Sequence, residues 1–491
     1  MNILMVSAEA VPFAKTGGLA DMVSALSLNL RKTGHDVRIV LPRFYNIDRN
    51  KLAPLEGAMG VPLGGREAWT AVYVSEIKDS VPVYFIDYEE FYGRDGIYGN
   101  AAESDFHDNP LRFSLLCNGA FQICRKLGWF PNIVHAHDWS SALAMPLLKY
   151  RARWGAFGSG FSRTAGVFTI HNLGYHGVYG SDFYSSLGLD WNDYYSSGFE
   201  ERGRINFLKA GISSADAITT VSPTYAREIQ TPEGGFGLDW LLRIRDSCLR
   251  GILNGVDTET WNPSTDQYIA KKYTVKTISS GKAANKRALQ EQMGLPVDAD
   301  IPVFGVVTRL ADQKGVAEMF APTYGCIFDV CASMKAQVAV LGSGERWCES
   351  ELLELQRKLP NLRVRIGFDD ALSHLIEAGS DFFLMPSRYE PCGLNQMYSL
   401  LYGTLPVVRR TGGLADTVRN YDEVSGEGTG FMLDTLTPRA LYDTIGWAVW
   451  AWFNKPEHIK AMRKRAMAEN FGWDLAAKNY ENVYQDALLR I

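Results

Sequence analysis

At 491 residues the chain exceeds the roughly 250 to 300 at which a single hydrophobic core stops growing, so at least two domains are expected. A composition with 46% hydrophobic and 21% charged residues excludes a disordered or fibrous chain, and a formal net charge of -5 argues against nucleic acid, whose binders carry a basic excess or stripe. The seven cysteines (117, 124, 248, 326, 331, 348 and 392) are odd in number and never spaced Cys-x-x-Cys, which disfavours a disulfide framework or zinc knuckle and fits a reducing cytoplasm.

The apolar opening Ile3 to Val6 is too short for a signal h-region, lacks a cationic flank and leaves no room for a transit peptide. No uninterrupted apolar run reaches the ~18 residues of a membrane span, so a cytoplasmic protein without anchor is expected. From there, short apolar runs alternate with amphipathic segments, the pattern of βαβ units and parallel sheets. Ile3 to Ala8, Val37 to Leu41, Val81 to Asp87, Ile133 to His137, Gly166 to Ile170 and Ala217 to Val221 read as strands. Between the first two, Leu19, Met22, Val23, Leu26 and Leu30 form one helical stripe, with Gly34 placed as a C-terminal cap.

Lys15 to Asp21 reads Lys-Thr-Gly-Gly-Leu-Ala-Asp at a strand-to-helix junction, where paired glycines let backbone N-H groups approach an anion and the lysine adds a point charge. A tight turn that needs glycine dihedrals would account for the same residues. At the end of the fourth strand, His135-Ala136-His137-Asp138-Trp139 places two rings on one strand face. That pattern can mark a metal hydrolase, but only His171, in Thr169-Ile170-His171-Asn172, lies at another strand end, and no His-Glu-x-x-His accompanies it. Hydrogen-bonding groups that line a sugar pocket are the favoured reading, and no metal is expected.

A second strand series follows Asn254-Gly255-Val256-Asp257, at Val303 to Val307, Gln337 to Leu341, Val364 to Ile366, Phe382 to Met385 and Leu405 to Val408. Trp261 to Asp300 is polar and without a convincing strand, so the domain junction is placed near Asn254 to Asn262. Arg309 and Lys314 then emerge at the carboxyl end of a parallel strand, where open α/β folds bind ligands, and two fixed cations there suit a diphosphate. Gly342-Ser343-Gly344 lacks the third glycine of a dinucleotide fingerprint, and no Gly-Lys-Ser/Thr P-loop occurs, which leaves hydride transfer and NTP hydrolysis weakly supported. Ser387 to Gly393 ends another strand and carries Glu390 beside a helix start, while Cys392 reads as a small buried side chain.

Arg410 to Asp416 repeats the earlier segment as Arg-Thr-Gly-Gly-Leu-Ala-Asp, again between a strand and a helix. The repetition favours an anion-binding role over a mere turn. Beyond it, the Arg463, Lys464, Arg465 run reads as a solvated helix face, and Asn470 to Ile491 as a final amphipathic helix.

Taken together, Lys15 to Asp21, His135 to Trp139, Thr169 to Leu173, Val221 to Pro223, Gly251 to Asp257, Arg309 to Gly315, Phe383 through Arg388, Glu390 to Gln396 and Gly403 to Asp416 resemble the bacterial glycogen synthases and plastid starch synthases, over essentially the whole chain. The resemblance implies a GT-B fold: two Rossmann-like α/β domains whose parallel sheets face a deep interdomain cleft. It places residues 1–256 on the glucan acceptor side, with the helix 470–491 packing back on them, and 257–469 on the nucleotide-sugar donor side. The implied activity is metal-independent transfer of glucose from ADP-glucose, or alternatively UDP-glucose, to the non-reducing end of glycogen or another α-1,4-glucan, with retention and without a cofactor.

Carried over by position, Lys15 and Gly18 resemble donor-phosphate contacts, and Arg309 and Lys314 the cations that stabilise the leaving diphosphate. Glu390 resembles the active-site carboxylate, His171 the residue beside the transferred sugar, and Asp138 and Asn254 further sugar-side groups. Gly367 and Phe368 match the loop around the base, and Asp21, Cys392, Gly393, Leu394, Thr411, Gly412 and Gly413 the rest of the donor lining. Three departures bear on acceptor fit and base preference: Ser140-Ser141 where His-Thr is usual, Leu173-Gly174-Tyr175-His176 where Ala and Gln are usual, and Phe368 where Tyr is frequent. A metal hydrolase would instead lose activity to chelators, and a non-catalytic glucan-binding protein would bind glycogen without transfer.

Overall fold

Ile3, Leu4, Met5 and Val6 are all buried because β1 (Asn2–Val6) is covered on both faces and lies between parallel neighbours, as a continuous apolar run requires. The computed structural model describes residues 1–78 and 80–491 and divides them into two compact units, Met1–Gly255 with Trp473–Ile491, and Val256–Gly472.

In the first unit β2 (Asp36–Pro42) pairs parallel to β1, and β3 (Ala53–Leu63), β4 (Arg66–Ile77) and β5 (Val81–Asp87) continue outward, the last parallel to β2. On the other side of β1 come β6 (Ile133–His137) and β7 (Ala165–Ile170). A small separate sheet holds β8 (Val178–Gly180), β9 (Glu200–Glu201) and β10 (Arg204–Asn206), and β11 (Ala217–Thr220) and β12 (Leu249–Gly251) complete the main one. Its order is β12-β11-β7-β6-β1-β2-β5-β4-β3. The β3–β4 hairpin, antiparallel and turned at Gly64 and Gly65 with φ of 50° and 67°, is absent from the strand series expected from sequence. Pro54, Gly57 and Pro62 interrupt β3, its outer residues face solvent, and its register shifts between Leu55 and Met59, so no clean alternation marks it.

The final helix, Trp473–Leu488, lies against the helix Gly18–Lys32 and against β7 and β11. Tyr484 reaches His135 at 2.9 Å, and Glu481 accepts from Thr33 at 2.6 Å and pairs with His35 at 3.0 Å. These bonds give the helix a docking site its amphipathic stripe could not name.

In the second unit β13 (Val303–Leu310), β14 (Gln337–Gly344), β15 (Leu362–Ile366), β16 (Phe382–Met385), β17 (Leu405–Arg409) and β18 (Phe431–Leu433) form one parallel sheet, ordered β15-β14-β13-β16-β17-β18. Before it, Trp261 lies flat between His374 and Tyr398, ring centroids 3.8 and 3.9 Å away, and Asp266 accepts from Tyr402 and pairs with His374. The helix Ile278–Met293 follows, and its Lys286 joins Asp381 at 2.9 Å. The cationic run of the helix Pro456–Ala466 is an exposed face only at Lys464. Arg463 turns inward to the other Asp381 oxygen at 2.6 Å, and Arg465 donates to the Gly426 carbonyl, because a buried carboxylate needs paired cations to stay charged.

Candidate functional site

In the second unit the strand ends converge on Glu390. After β13 a short turn carries Lys314 into Gly315, whose φ of 70° and contact with Pro386 exclude a side chain; a Cβ there would sit 2.4 Å from the Pro386 carbonyl oxygen. That close approach brings Lys314 Nζ to 2.6 Å from Glu390 Oε2, which also accepts from Ser387 Oγ at 2.8 Å. Glu390 is 5% exposed, so the lysine and serine take the place of its water. Gln313 donates to the Tyr389 carbonyl and accepts from Arg388 N, fixing the two loops to each other.

The second Thr-Gly-Gly copy forms the other wall. Gly413 N donates to the Glu390 carbonyl at 3.0 Å, and a Cβ on Gly412 or Gly413 would lie 1.9 Å from the Glu390 or 2.0 Å from the Cys392 carbonyl oxygen. Gly412 has φ of 42° and Gly393 of 73°. The paired glycines therefore let backbone lie on backbone, with Thr411 capping position of the six-residue helix Gly412–Thr417. Leu394 precedes the helix Asn395–Leu401, whose Gln396 donates to the Cys392 and Gly393 carbonyls, each at 3.0 Å. Arg410, heading the copy, is exposed and paired with Asp434.

Arg309 leaves the same end of the sheet, exposed, with no ion pair among the described residues. At the end of β15, Gly367 has φ of 124° and Phe368 is 91% exposed, two strands from β13.

In the first unit Lys15 pairs with Asp21 at 2.8 Å and remains half exposed, and Gly18 opens the helix Gly18–Lys32. The anion at this first copy is internal. Glu9, 2% exposed at the end of β1, accepts from Thr16 N and Gly17 N through Oε2 and from Thr16 Oγ1 and Tyr98 Oη through Oε1. The sequence singled out neither Glu9 nor Tyr98. The available signal was Ser7-Ala8-Glu9, a carboxylate just past the end of a parallel strand.

Asp138 and His171 meet where β6 and β7 end. Asp138, with φ of 57°, accepts from His171 N at 2.7 Å and Asn172 N at 3.4 Å, yet burial outweighs these bonds and pushes its carboxyl up to about 7. His137 Nδ1 lies 3.2 Å from His171 Nε2. Burial drives His135 and His171 down to about 3 and His137 well below its usual value, so all three rings are neutral. His135 spends both nitrogens on Tyr484 and Thr169, the latter at 2.6 Å. Among the described residues no group of three His, Cys, Asp or Glu side chains is arranged to hold a metal ion. Asn254 is 6% exposed, and its Oδ1 has no partner among the described residues.

Two family comparisons match most of the chain: residues 2–244 to "Starch synthase catalytic domain" and 295–466 to "Glycosyl transferases group 1". A glycogen synthase of Treponema denticola is 58% identical over 489 residues, covering 99% of each chain. Glycogen synthase 1 of Geobacter metallireducens is 44% identical over 497 residues, 99% of this chain and 96% of that one. Among solved structures, the catalytic domain of starch synthase IV from Arabidopsis thaliana, bound to ADP and acarbose, matches with a TM-score of 0.87 at 30% identity over 99% of both chains. Sucrose-phosphate synthase from Thermosynechococcus elongatus shares the fold alone, at a TM-score of 0.61 and 16% identity.

Proposed function

Because the chain belongs to the starch and glycogen synthase family of GT-B glycosyltransferases, we propose that it transfers glucose from ADP-glucose to the non-reducing end of an α-1,4-glucan, with retention and without a metal. The observation that carries this reading is the edge of the second sheet, where buried Glu390 is bonded to Lys314 and Ser387 beside the exposed cation of Arg309. A departing nucleoside diphosphate gains negative charge as the glycosidic carbon becomes oxocarbenium-like, and Arg309 together with the preorganised Lys314 opposes that charge where other folds use a metal ion.

In this assignment Lys15 and Gly18 contact donor phosphate, and the backbone from Cys392 to Leu394 with Thr411, Gly412 and Gly413 lines the donor position. Asp21 holds Lys15 by the ion pair already described. Phe368 offers an exposed ring beside Gly367 for the base, and the ADP held by the Arabidopsis enzyme favours adenine. His171, Asp138 and Asn254 face the transferred sugar, where a neutral imidazole and a carboxyl that retains its proton near neutral pH can donate to hydroxyls. Retention follows from departure and attack on the same face of the sugar: the glycosidic C–O bond to diphosphate breaks, its electron pair stays on the phosphate oxygen, and the acceptor hydroxyl adds while its proton passes to that oxygen. No covalent glycosyl-enzyme is needed. All seven cysteines are buried free thiols, which supports a reducing cytoplasm as the place of work.

The test is incubation with glycogen and labelled ADP-glucose or UDP-glucose, each with and without EDTA. Labelled glucan from ADP-glucose at an EDTA-insensitive rate is expected. Labelling from neither donor overturns the activity, preference for UDP-glucose overturns the donor assignment, and loss with EDTA overturns the metal-free mechanism.

A further inference from the structure

The first Thr-Gly-Gly copy has its anion built in, and the geometry points to Glu9 as a positioning residue: its carboxylate fixes the Lys15–Gly18 loop and, through Tyr98, ties that loop to the Asp138–Trp139 turn. The inference rests on the reading of Lys15 and Gly18 as donor contacts and assigns them a support.

Four donors converge on one buried carboxylate. Thr16 N and Gly17 N are the amides that a phosphate would otherwise find at the head of the helix Gly18–Lys32, and Glu9 Oε2 takes both. The copies are therefore not two equivalent phosphate cradles. At the first, an internal charge fixes the backbone of Thr16 and Gly17, so the loop that carries Lys15 and the amide of Gly18 is set before any ligand arrives. Holding a contact group fixed in advance lowers the entropy lost on binding.

The other oxygen reaches across the unit. Tyr98 Oη donates to Glu9 Oε1 at 2.7 Å, and its ring lies 5.7 Å from Trp139 and 5.9 Å from Phe113. Tyr98 itself is held by Arg112, a fully buried guanidinium that donates to the Phe91 carbonyl at 2.9 Å and the Ile97 carbonyl at 2.8 Å, stapling the segment that carries Tyr98. Asp138 begins the turn that Trp139 continues, and the Glu9 charge adds to burial in keeping the Asp138 carboxyl protonated. One carboxylate thus fixes the phosphate-contact loop and adds to the proton affinity that burial gives a sugar-side group.

The experiment compares Glu9→Ala and Glu9→Gln with the unaltered full-length protein. In Glu9→Ala, amide hydrogen exchange at residues 16–18 is expected to quicken about tenfold or more while the rest of the first unit keeps its protection. The KM for nucleotide sugar should rise about tenfold with the KM for glucan nearly unchanged, as expected when a donor contact loses its support. Glu9→Gln preserves the acceptors for the two amides but removes the charge. It should keep exchange and donor KM close to those of the unaltered protein while moving the Asp138-dependent limb of the pH–rate profile to lower pH. Should Glu9→Ala not fold, Glu9→Asp, one methylene too short to serve both the loop and Tyr98, must show the same rise in donor KM. Unchanged exchange at 16–18 together with an unchanged donor KM overturns the proposal. Absence of transfer in the unaltered protein would overturn the functional reading alone, since the exchange measurement needs no turnover.

Discussion

Lys314 and Glu390 hold opposite charges 2.6 Å apart with little water around them, so neither can be removed without stranding the other. Glu390→Ala leaves Lys314 and Ser387 without their acceptor and removes the carboxylate assigned to the donor sugar. We expect kcat to fall about 10²–10³-fold, the scale of losing one preorganised electrostatic group, with donor affinity changed only a few-fold. Steady-state kinetics with single-turnover rates check this, and an unaltered kcat would remove Glu390 from its assigned role. The buried imidazoles make a second prediction, on stability. In the unfolded chain His135, His137 and His171 take protons below about pH 6.5, whereas in the folded one His135 and His171 do so only near 3 and His137 well below its usual value. Asp138 acts in the opposite sense, keeping its proton up to about 7. In the second unit burial raises Glu377 to about 8 and lowers Lys282, shifts that act in opposite senses on proton uptake. Around pH 5, unfolding therefore takes up about two protons from these four groups, and more with His176, whose imidazole burial also lowers, so stability rises with pH by ~2.7 kcal/mol per unit or more. Above 6.5 the residual imidazole uptake in the unfolded chain and the Asp138 proton kept in the folded one nearly offset each other, and stability levels off. Urea midpoints should rise steeply from pH 5 to 6.5 and change little from 6.5 to 8; a flat line from 5 to 6.5 would mean that the rings are charged in the folded protein.

At the scale of elements, the duplicated Thr-Gly-Gly-Leu-Ala-Asp segment was legible as a pair but not as two different structures. Each copy follows a parallel strand and opens a helix, as the residues suggest, yet one helix runs fifteen residues and the other six. The difference lies in what approaches the glycines, which local sequence does not encode. Gly17, with φ of -157°, has open space where a Cβ would be, while Gly412, with φ of 42°, has the Glu390 carbonyl there. Gly412→Ala must consequently push the Glu390 loop aside, and we expect about a hundredfold loss of kcat/KM together with ~1–3 kcal/mol of stability. Gly17→Ala should cost no more than a few-fold in rate. Equal losses in the two variants, measured on folded protein of matched circular dichroism, would contradict the asymmetry. Strands were easiest to read where both faces are buried, as at Phe382 to Met385, whose expected and observed limits coincide. They were hardest at the half-exposed hairpin of β3 and β4, and the cationic run at Arg463 misled because nothing nearby in sequence announces Asp381, 82 residues away.

At the scale of the molecule, alternating apolar runs made the α/β class and the parallel sheets readable, because continuous hydrophobic strands separated by amphipathic helices have few other ways to bury their faces. Which sheet a terminal helix covers is a different kind of information, since an amphipathic stripe specifies burial but no partner. Here the chain completes the second unit and then returns to the first, where Trp473, Ala476, Ala477, Tyr480, Val483, Tyr484 and Ala487 belong to the core built on β1. Burying the large side chains Trp473, Tyr480, Val483 and Tyr484 contributes ~1.5–3 kcal/mol each, together comparable to the ~5–15 kcal/mol by which a folded protein exceeds its unfolded chain. The second unit carries its own clusters around Leu289, Val303 and Phe383 and around Tyr273 and Tyr402, none of which includes a residue beyond 472. Truncation after Gly472 should therefore unfold Met1–Gly255 while leaving Val256–Gly472 folded. Limited proteolysis of the truncated chain is expected to degrade the first unit and leave a resistant fragment beginning near Val256, with far-UV dichroism lost in proportion. Survival of both units would show that the helix is an accessory to the first core, and loss of both would show that the second unit draws its stability from the first.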